Sequence, residues 1–196
     1  EVCRQMAIAG ADIIINYYHS DIDRDAAAAL EAELLSYGVS VLRCEADVSK
    51  EQEVKYMINC AIQKFGKIDI LVNNAGILVS SKFEELSYET WGRMLDVILN
   101  GAFLVTRYTV PKMLENNNGS IVMITTNCTI NGGGGSAAYP AAKAGVEGLA
   151  KQLVLEYASK GIRTNIIQPA VIDTDMFRQR YRTDEEVIEY GKKLPI

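Results

Sequence analysis

The chain has 196 residues, 48% of them hydrophobic, and carries a net charge of -5. That length suits one domain with a single sizeable core, and no apolar run approaches the ~20 residues of a membrane span. The acidic balance and the lack of a basic block count against nucleic acid or an anionic membrane as the main partner, and the start Glu1-Val2-Cys3-Arg4 has no signal-peptide pattern, so a cytoplasmic protein is expected.

In chain order, a helix is predicted near Val2 to Ala9 and a strand near Asp12 to Tyr17, which ends on Tyr17-Tyr18. A helix near Asp25 to Tyr37 leads to a strand near Val39 to Glu45 and then to Asp47-Val48. Ser49 and Gln52 predict a capping box for the next helix, near Glu51 to Phe65. A strand near Ile68 to Asn73 runs into Asn74-Ala75-Gly76, and a long helix is expected over Tyr88 to Glu115. The strand near Ser120 to Thr125 is followed by Thr126 and by the loop Asn131-Gly132-Gly133-Gly134-Gly135-Ser136. A helix near Ala138 to Ser159, a strand near Arg163 to Gln168 ending in Pro169-Ala170, and a shorter helix near Asp184 to Tyr190 complete the pattern.

Short β-rich runs alternating with helices are the mark of a parallel sheet covered on both faces. No linker or repeat divides the chain, so one doubly wound α/β domain over residues 1–196 is expected. In such sheets ligands bind beyond the carboxyl ends of the strands. The polar landmarks fall there.

Tyr139 and Lys143, one helical turn apart, share a helix face. A cation beside a phenol stabilises the phenolate and lowers its pKa from ~10 toward a range useful for proton transfer. Tyr108 and Lys112 repeat the spacing inside a long helix, with no polar strand end nearby, and are read as structural. The four cysteines, at positions 3, 44, 60 and 128, show no metal-ligand spacing and read as small hydrophobes in a reducing compartment. The one histidine, His19, excludes a multi-histidine zinc site, argues against a Ser-His-Asp triad and reads as a solvated loop residue. No metal is expected. The four-glycine run is not followed by Gly-Lys-Ser/Thr and reads as a flexible wall of a substrate pocket rather than a phosphate loop.

Together, Asp47-Val48, Asn73-Asn74-Ala75-Gly76, Tyr139 with Lys143, and Pro169 to Thr174 resemble the short-chain dehydrogenase/reductase family, in the subgroup of 3-oxoacyl-carrier-protein reductases and glucose dehydrogenases. The resemblance covers essentially the whole chain and implies a Rossmann-like domain. It implies NAD(P)-dependent transfer of hydride between the cofactor and a carbonyl or secondary alcohol. Tyr139 would be the general acid/base, and Lys143 would lower its pKa and bond the nicotinamide ribose. Thr126, thirteen residues before Tyr139 where the family usually has serine, would orient the substrate oxygen. Asp47 and Val48 would touch the adenine, although that aspartate can equally satisfy backbone amides before the next helix. Asn74, Ala75 and Gly76 would lie against the ribose, or form a plain strand-ending turn. Ile172 and Thr174, after Pro169, would hold the carboxamide and pyrophosphate end. Tyr17 and Tyr18 stand where NAD-preferring relatives often carry an acid, which weakly favours NADP(H) over NAD(H). Relatives commonly assemble through the two long helices, so a homotetramer or dimer is expected.

The pattern departs from the family in three places. The family's first strand with its glycine-rich turn and its last strand have no counterpart in this sequence, as expected of a fragment of a longer protein; loss of the central first strand should leave its two neighbours with unpaired backbone groups. Ile98 stands seven residues after Trp91, where the family usually has an asparagine that helps hold a water linking the lysine to solvent. Asn100 could substitute only if the helix were locally bent. Ala170 follows Pro169 in place of glycine. These departures motivate an alternative reading, a catalytically impaired nucleotide-binding or structural subunit of the same fold.

Overall fold

Ile13 and Ile15 pack to one side of a strand and Ile14 to the other, the period-2 pattern of a strand covered on both faces. The computed structural model describes residues 1–178 and 181–192; Leu194 to Ile196, at the tail, lie outside the described residues. β1 (Ile13–Tyr17) and β2 (Val41–Glu45) pair in parallel with Ile13 opposite Val41. β3 (Ile70–Asn73), β4 (Gly119–Ile124) and β5 (Ile162–Ile167) form a second parallel sheet in that order, with Ile70 opposite Ser120 and Gly119 opposite Ile162.

Helices cover these sheets from both sides. α1 (Val2–Ile8) and α2 (Asp21–Leu35) bury Ala7, Ala27 and Leu34 against Ile13, Ile15 and Val41. On the other side α3 (Glu51–Phe65), α5 (Gly101–Glu115) and α7 (Ala138–Tyr157) build the larger core around Val54, Met57, Val105, Ile121, Met123 and Val146. Each such side chain contributes about 1.5–3 kcal/mol on burial. This is the doubly wound α/β arrangement the sequence predicts. Among the described residues β1 pairs only with β2 and β3 only with β4, so both keep an edge without a strand partner, as the sequence reading expects.

Three local expectations are corrected. α2 starts at Asp21, four residues early, because the Ser20 hydroxyl accepts the Asp23 amide at 3.0 Å and Asp21 and Asp23 sit in the favourable first turn. The capping box at Ser49 does not form: α3 begins after Lys50, and Ser49 turns instead to Asp47 and Arg93. The long helix over Tyr88 to Glu115 is divided into α4 (Tyr88–Leu95), a π-helical turn at Asp96–Asn100, and α5. A π turn inserts one residue and rotates the helix beyond it. Short helices α6 (Cys128–Asn131), α8 (Asp175–Arg178) and α9 (Asp184–Gly191) complete the described chain, and no helix in it is long and apolar enough to cross a membrane.

Candidate active site

α7 begins one residue before Tyr139, so its first two turns carry Tyr139 and Lys143 past the end of β4. Lys143 is 4% exposed, and its Nζ donates to the Ile124 carbonyl at 2.7 Å. No ion pair includes it among the described residues, and burial draws its pKa down to about 8. The ammonium lies 5.9 Å from the centroid of the half-buried Tyr139 ring. Burial, reinforced by the nearby Cys128 thiol, pushes the Tyr139 phenol above its ordinary value. The expected lowering of the phenol pKa is therefore corrected. Lys143 spends its hydrogen bond on a carbonyl, and desolvation of Tyr139 prevails.

Beside Lys143 is a cavity of about 10 Å³, lined among others by Val48, Asn73, Ala75, Ile98, Ile124 and Lys143. That is about the minimum for one water, and Ile98, 1% exposed, supplies an apolar wall. The π turn falls at this point, yet Asn100 is exposed and donates to Asp96 at 2.8 Å, so it does not stand in for the missing asparagine. Gly76 also faces this space. The nearest neighbours of a Cβ built there are Ile98 Cγ1 at 3.6 Å, Lys143 Nζ at 3.7 Å and the Asn74 carbonyl at 3.8 Å. Packing within the chain does not require glycine there. Asn74 and Ala75 are exposed, while Asn73 anchors the strand end by donating to Thr106 at 2.9 Å.

Thr126 is buried, and its hydroxyl accepts the Cys128 amide at 3.3 Å. Its carbonyl accepts the Thr129 hydroxyl at 2.9 Å, and Thr129 also reaches Glu147 at 2.8 Å, to which Gln168 donates at 2.9 Å. Burial raises the Glu147 pKa, but hydrogen bonds from Thr129, Gln168 and Thr125 outweigh it and hold the carboxyl below its usual range. This network ties α6, α7 and the end of β5 together around Thr126. Pro169 accepts the Asn127 amide at 3.0 Å. Ile172 and Thr174 are exposed, joined by a 3.4 Å bond, and do not line the cavity.

Asp47 is 5% exposed and fully engaged: Oδ1 accepts the Ser49 amide and hydroxyl, and Oδ2 accepts Arg93 at 2.9 Å. Burial acts to raise its pKa, but Ser49 and then Arg93 outweigh it, and the carboxyl titrates below its ordinary range. Val48 packs so closely on Gly101 that a Cβ there would lie 2.7 Å from Val48 Cγ2. Arg93→Ala is expected to cost about 1–2 kcal/mol in urea denaturation, less than a fully buried pair because Arg93 is 37% exposed. An Asp with a depressed folded pKa contributes stability that is present above its unfolded pKa and lost as pH falls through the folded one. The difference between Arg93→Ala and wild type should thus persist at neutral pH and fade in acid.

His19 is not simply solvated, which corrects the sequence reading. Its ring nitrogens bond Glu45 at 2.9 Å and Glu53 at 2.6 Å, and these bonds, Glu45 first, raise its pKa. Tyr108 is structural as expected, its hydroxyl donating to Glu51 on α3. Cys44 is buried and Cys3, Cys60 and Cys128 are half-buried, all four as free thiols. Sequence reasoning missed Arg93, Thr129, Glu147 and Gln168. Apart from the local bond of Thr129 to Thr126, their partners are 18 to 46 residues away in the chain, beyond the reach of any local pattern.

A sequence profile described as short chain dehydrogenase matches residues 1–185. A 3-oxoacyl-[acyl-carrier-protein] reductase of Synechocystis is 37% identical over 171 residues, covering 87% of this chain and 68% of the relative. The enzyme of that name from Staphylococcus epidermidis is 36% identical over 175 residues, 89% of this chain and 70% of the relative. An uncharacterized oxidoreductase of Schizosaccharomyces pombe is 39% identical over 157 residues, 79% of this chain and 60% of its own.

Proposed function

The chain belongs to the short-chain dehydrogenase family, and on that premise we propose that it is an oxidoreductase interconverting a carbonyl compound and a secondary alcohol with a nicotinamide dinucleotide. The observation that carries this reading is Lys143. It is a buried ammonium with no anionic partner among the described residues, one turn from Tyr139 and beside a glycine whose missing Cβ leaves space. A charge kept buried at that cost has a use other than stability.

When bound, the dinucleotide supplies the hydride. Gly76, whose missing Cβ leaves space beside Lys143 Nζ, fits a ribose: Asn74, Ala75 and Gly76 would accept it, and Lys143 would donate to the nicotinamide ribose. Asp47 and Val48 would hold the adenine end, with Asp47 fixed from behind by Ser49 and Arg93. Pro169, Ile172 and Thr174, outside the cavity beside Lys143, would hold the carboxamide and pyrophosphate end. In reduction Tyr139 Oη, whose pKa burial raises above its ordinary value, gives its proton to the substrate oxygen, which Thr126 orients. The charged Lys143 next to it stabilises the phenolate that results, and Tyr139 is then reprotonated from solvent. The substrates to try first are 3-oxoacyl thioesters, after the names of the relatives.

NADP(H) is proposed over NAD(H), because neither Tyr17 nor Tyr18 offers a carboxylate to a ribose hydroxyl. Titration of both cofactors decides it, and tighter binding of NAD(H) overturns the preference. Gly76→Ala should weaken cofactor affinity about tenfold or more, near 1.4 kcal/mol, and leave the thermal midpoint nearly unchanged, since the methyl makes only ordinary contacts within the protein. Unchanged affinity removes the ribose from that position. α5 and α7 expose Phe103, Val154 and Leu155, and we propose that these faces meet in a homotetramer or dimer. A monomeric mass in solution contradicts this.

A further inference from the structure

Gly132, Gly133, Gly134 and Gly135 all have positive φ, at 74°, 107°, 76° and 78°, a conformation that costs an L side chain about 1–2 kcal/mol. Positive φ explains glycine at each position and does not single out Gly134; Gly132, at ψ -177°, lies in a region almost closed to other residues. Space does distinguish Gly134. A Cβ on Gly132 meets nothing within 4 Å, and one on Gly133 makes an ordinary contact with Cys128 Sγ at 3.6 Å. A Cβ on Gly134 would sit 2.8 Å from Cδ1 of Tyr139, 3.5 Å from Cε1 and 3.6 Å from Cγ. Atoms cannot stay that close, so either the ring or the loop must move.

The loop is held on both sides. The Gly132 amide donates to the Cys128 carbonyl at 3.0 Å, and the Gly135 carbonyl accepts the Ser81 amide at 2.8 Å. Beyond it Ser136 is buried, with its hydroxyl 4.0 Å from Met94 Sδ on α4. The ring, which is half-buried, is the freer of the two.

We infer that Gly134 is a positioning residue for Tyr139: its bare backbone forms one wall of the slot that seats the phenol ring, and so sets where the hydroxyl stands relative to Lys143 and Thr126. The run of glycines is thus a packed wall at Gly134 rather than a uniformly flexible one. The consequence for turnover rests on the proton-donor role proposed for Tyr139, whereas the seating of the ring does not.

Gly134→Ala and Gly132→Ala place an L side chain at nearly the same φ, 76° and 74°, and only the first meets the ring; because Gly132, at ψ -177°, lies in a region almost closed to other residues, Gly132→Ala is a demanding control for backbone strain without ring contact. In protein labelled with fluorotyrosine, the Tyr139 fluorine resonance is identified by its loss in Tyr139→Phe. Gly134→Ala is expected to displace that resonance and to lower kcat by about tenfold to a hundredfold, the scale of a misplacement near 1 Å, at nearly unchanged cofactor affinity. Gly132→Ala leaves the resonance and kcat near wild type. An unmoved resonance in Gly134→Ala, or equal displacement by both variants, overturns the inference. A displaced resonance with undiminished turnover keeps the seat of the ring and removes Tyr139 from proton transfer. If Gly134→Ala folds poorly, the double variant Gly134→Ala/Tyr139→Ala is decisive. Removing the ring should restore stability relative to Gly134→Ala alone, and an equal loss in both backgrounds also overturns the inference.

Discussion

Tyr139→Phe is expected to lower kcat by about a hundredfold to ten-thousandfold, the usual contribution of a positioned acid, while cofactor affinity stays within about twofold of wild type. The substitution removes one oxygen from a half-buried ring whose position is set by packing against Gly134 and by the start of α7. No protein hydrogen bond of the Tyr139 hydroxyl is lost with it among the described residues, so fold and binding should hold. Steady-state kinetics and a cofactor titration measured together check this. A kcat within tenfold of wild type would mean that the proton comes from elsewhere, and equal losses in kcat and affinity would mean that the ring is a binding wall only.

Lys143→Met is expected to abolish most activity and, at neutral pH, to make the protein no less stable. The folded-state pKa of about 8 against 10.5 for an ordinary lysine means that the native state holds this proton less tightly than the unfolded chain. Below about pH 8 that difference costs about 3 kcal/mol, because each tenfold change in proton affinity is worth ~1.4 kcal/mol. Methionine has similar length and no charge to desolvate. Against the relief stands the lost bond to the Ile124 carbonyl, worth about 0.5–1.5 kcal/mol net, so a gain of about 1.5–2.5 kcal/mol is expected. The wild type, by contrast, gains stability as pH rises from about 8 toward 10.5, where the unfolded chain binds more protons than the folded one. The advantage of methionine should shrink across that window. Urea denaturation at neutral and alkaline pH measures both effects. A loss of more than about 1 kcal/mol at neutral pH would make Lys143 a structural tie between α7 and β4.

Much of this site is legible in the sequence. Strand ends are marked by the switch from apolar alternation to polar or small residues, and that switch puts Asp47-Val48, Asn74-Ala75-Gly76, Thr126 and Pro169 beyond β2, β3, β4 and β5, where the structure has them. The helical spacing of Tyr139 and Lys143 likewise puts them one turn apart on α7. The inferences that fail are those that treat a side chain as having only local partners. Ser49 looks like a cap because Gln52 follows it, yet Arg93, 44 residues away, claims its hydroxyl. His19 looks solvated because it is alone in the sequence, whereas the parallel pairing of β1 and β2 brings Glu45 to it, and α3 brings Glu53. The π turn at Asp96–Asn100 has no sequence signature. The Tyr139 pKa moves opposite to the direction its spacing suggests, because spacing reports proximity and not desolvation, and burial dominates there.

Ile98 is the departure with the clearest structural outcome. It fills the place of a water-holding polar residue with an apolar wall, and Asn100 faces solvent. The back of Lys143 therefore lacks a polar route through this position, and in the proposed chemistry the proton for Tyr139 would come from the substrate side. Slow proton resupply is compatible with an enzyme; it is also the feature that a nucleotide-binding subunit without chemistry would show.

The most direct test is to follow reduced NADP and NAD in the presence of carbonyl compounds, 3-oxoacyl thioesters first and then ketones and sugars, with cofactor binding recorded on the same samples. The predicted result is that the protein binds the cofactor and consumes it with at least one carbonyl class, and that Tyr139→Phe binds it without consuming it. Saturating binding with no consumption against any of them would contradict the proposed chemistry and leave a binding subunit in its place.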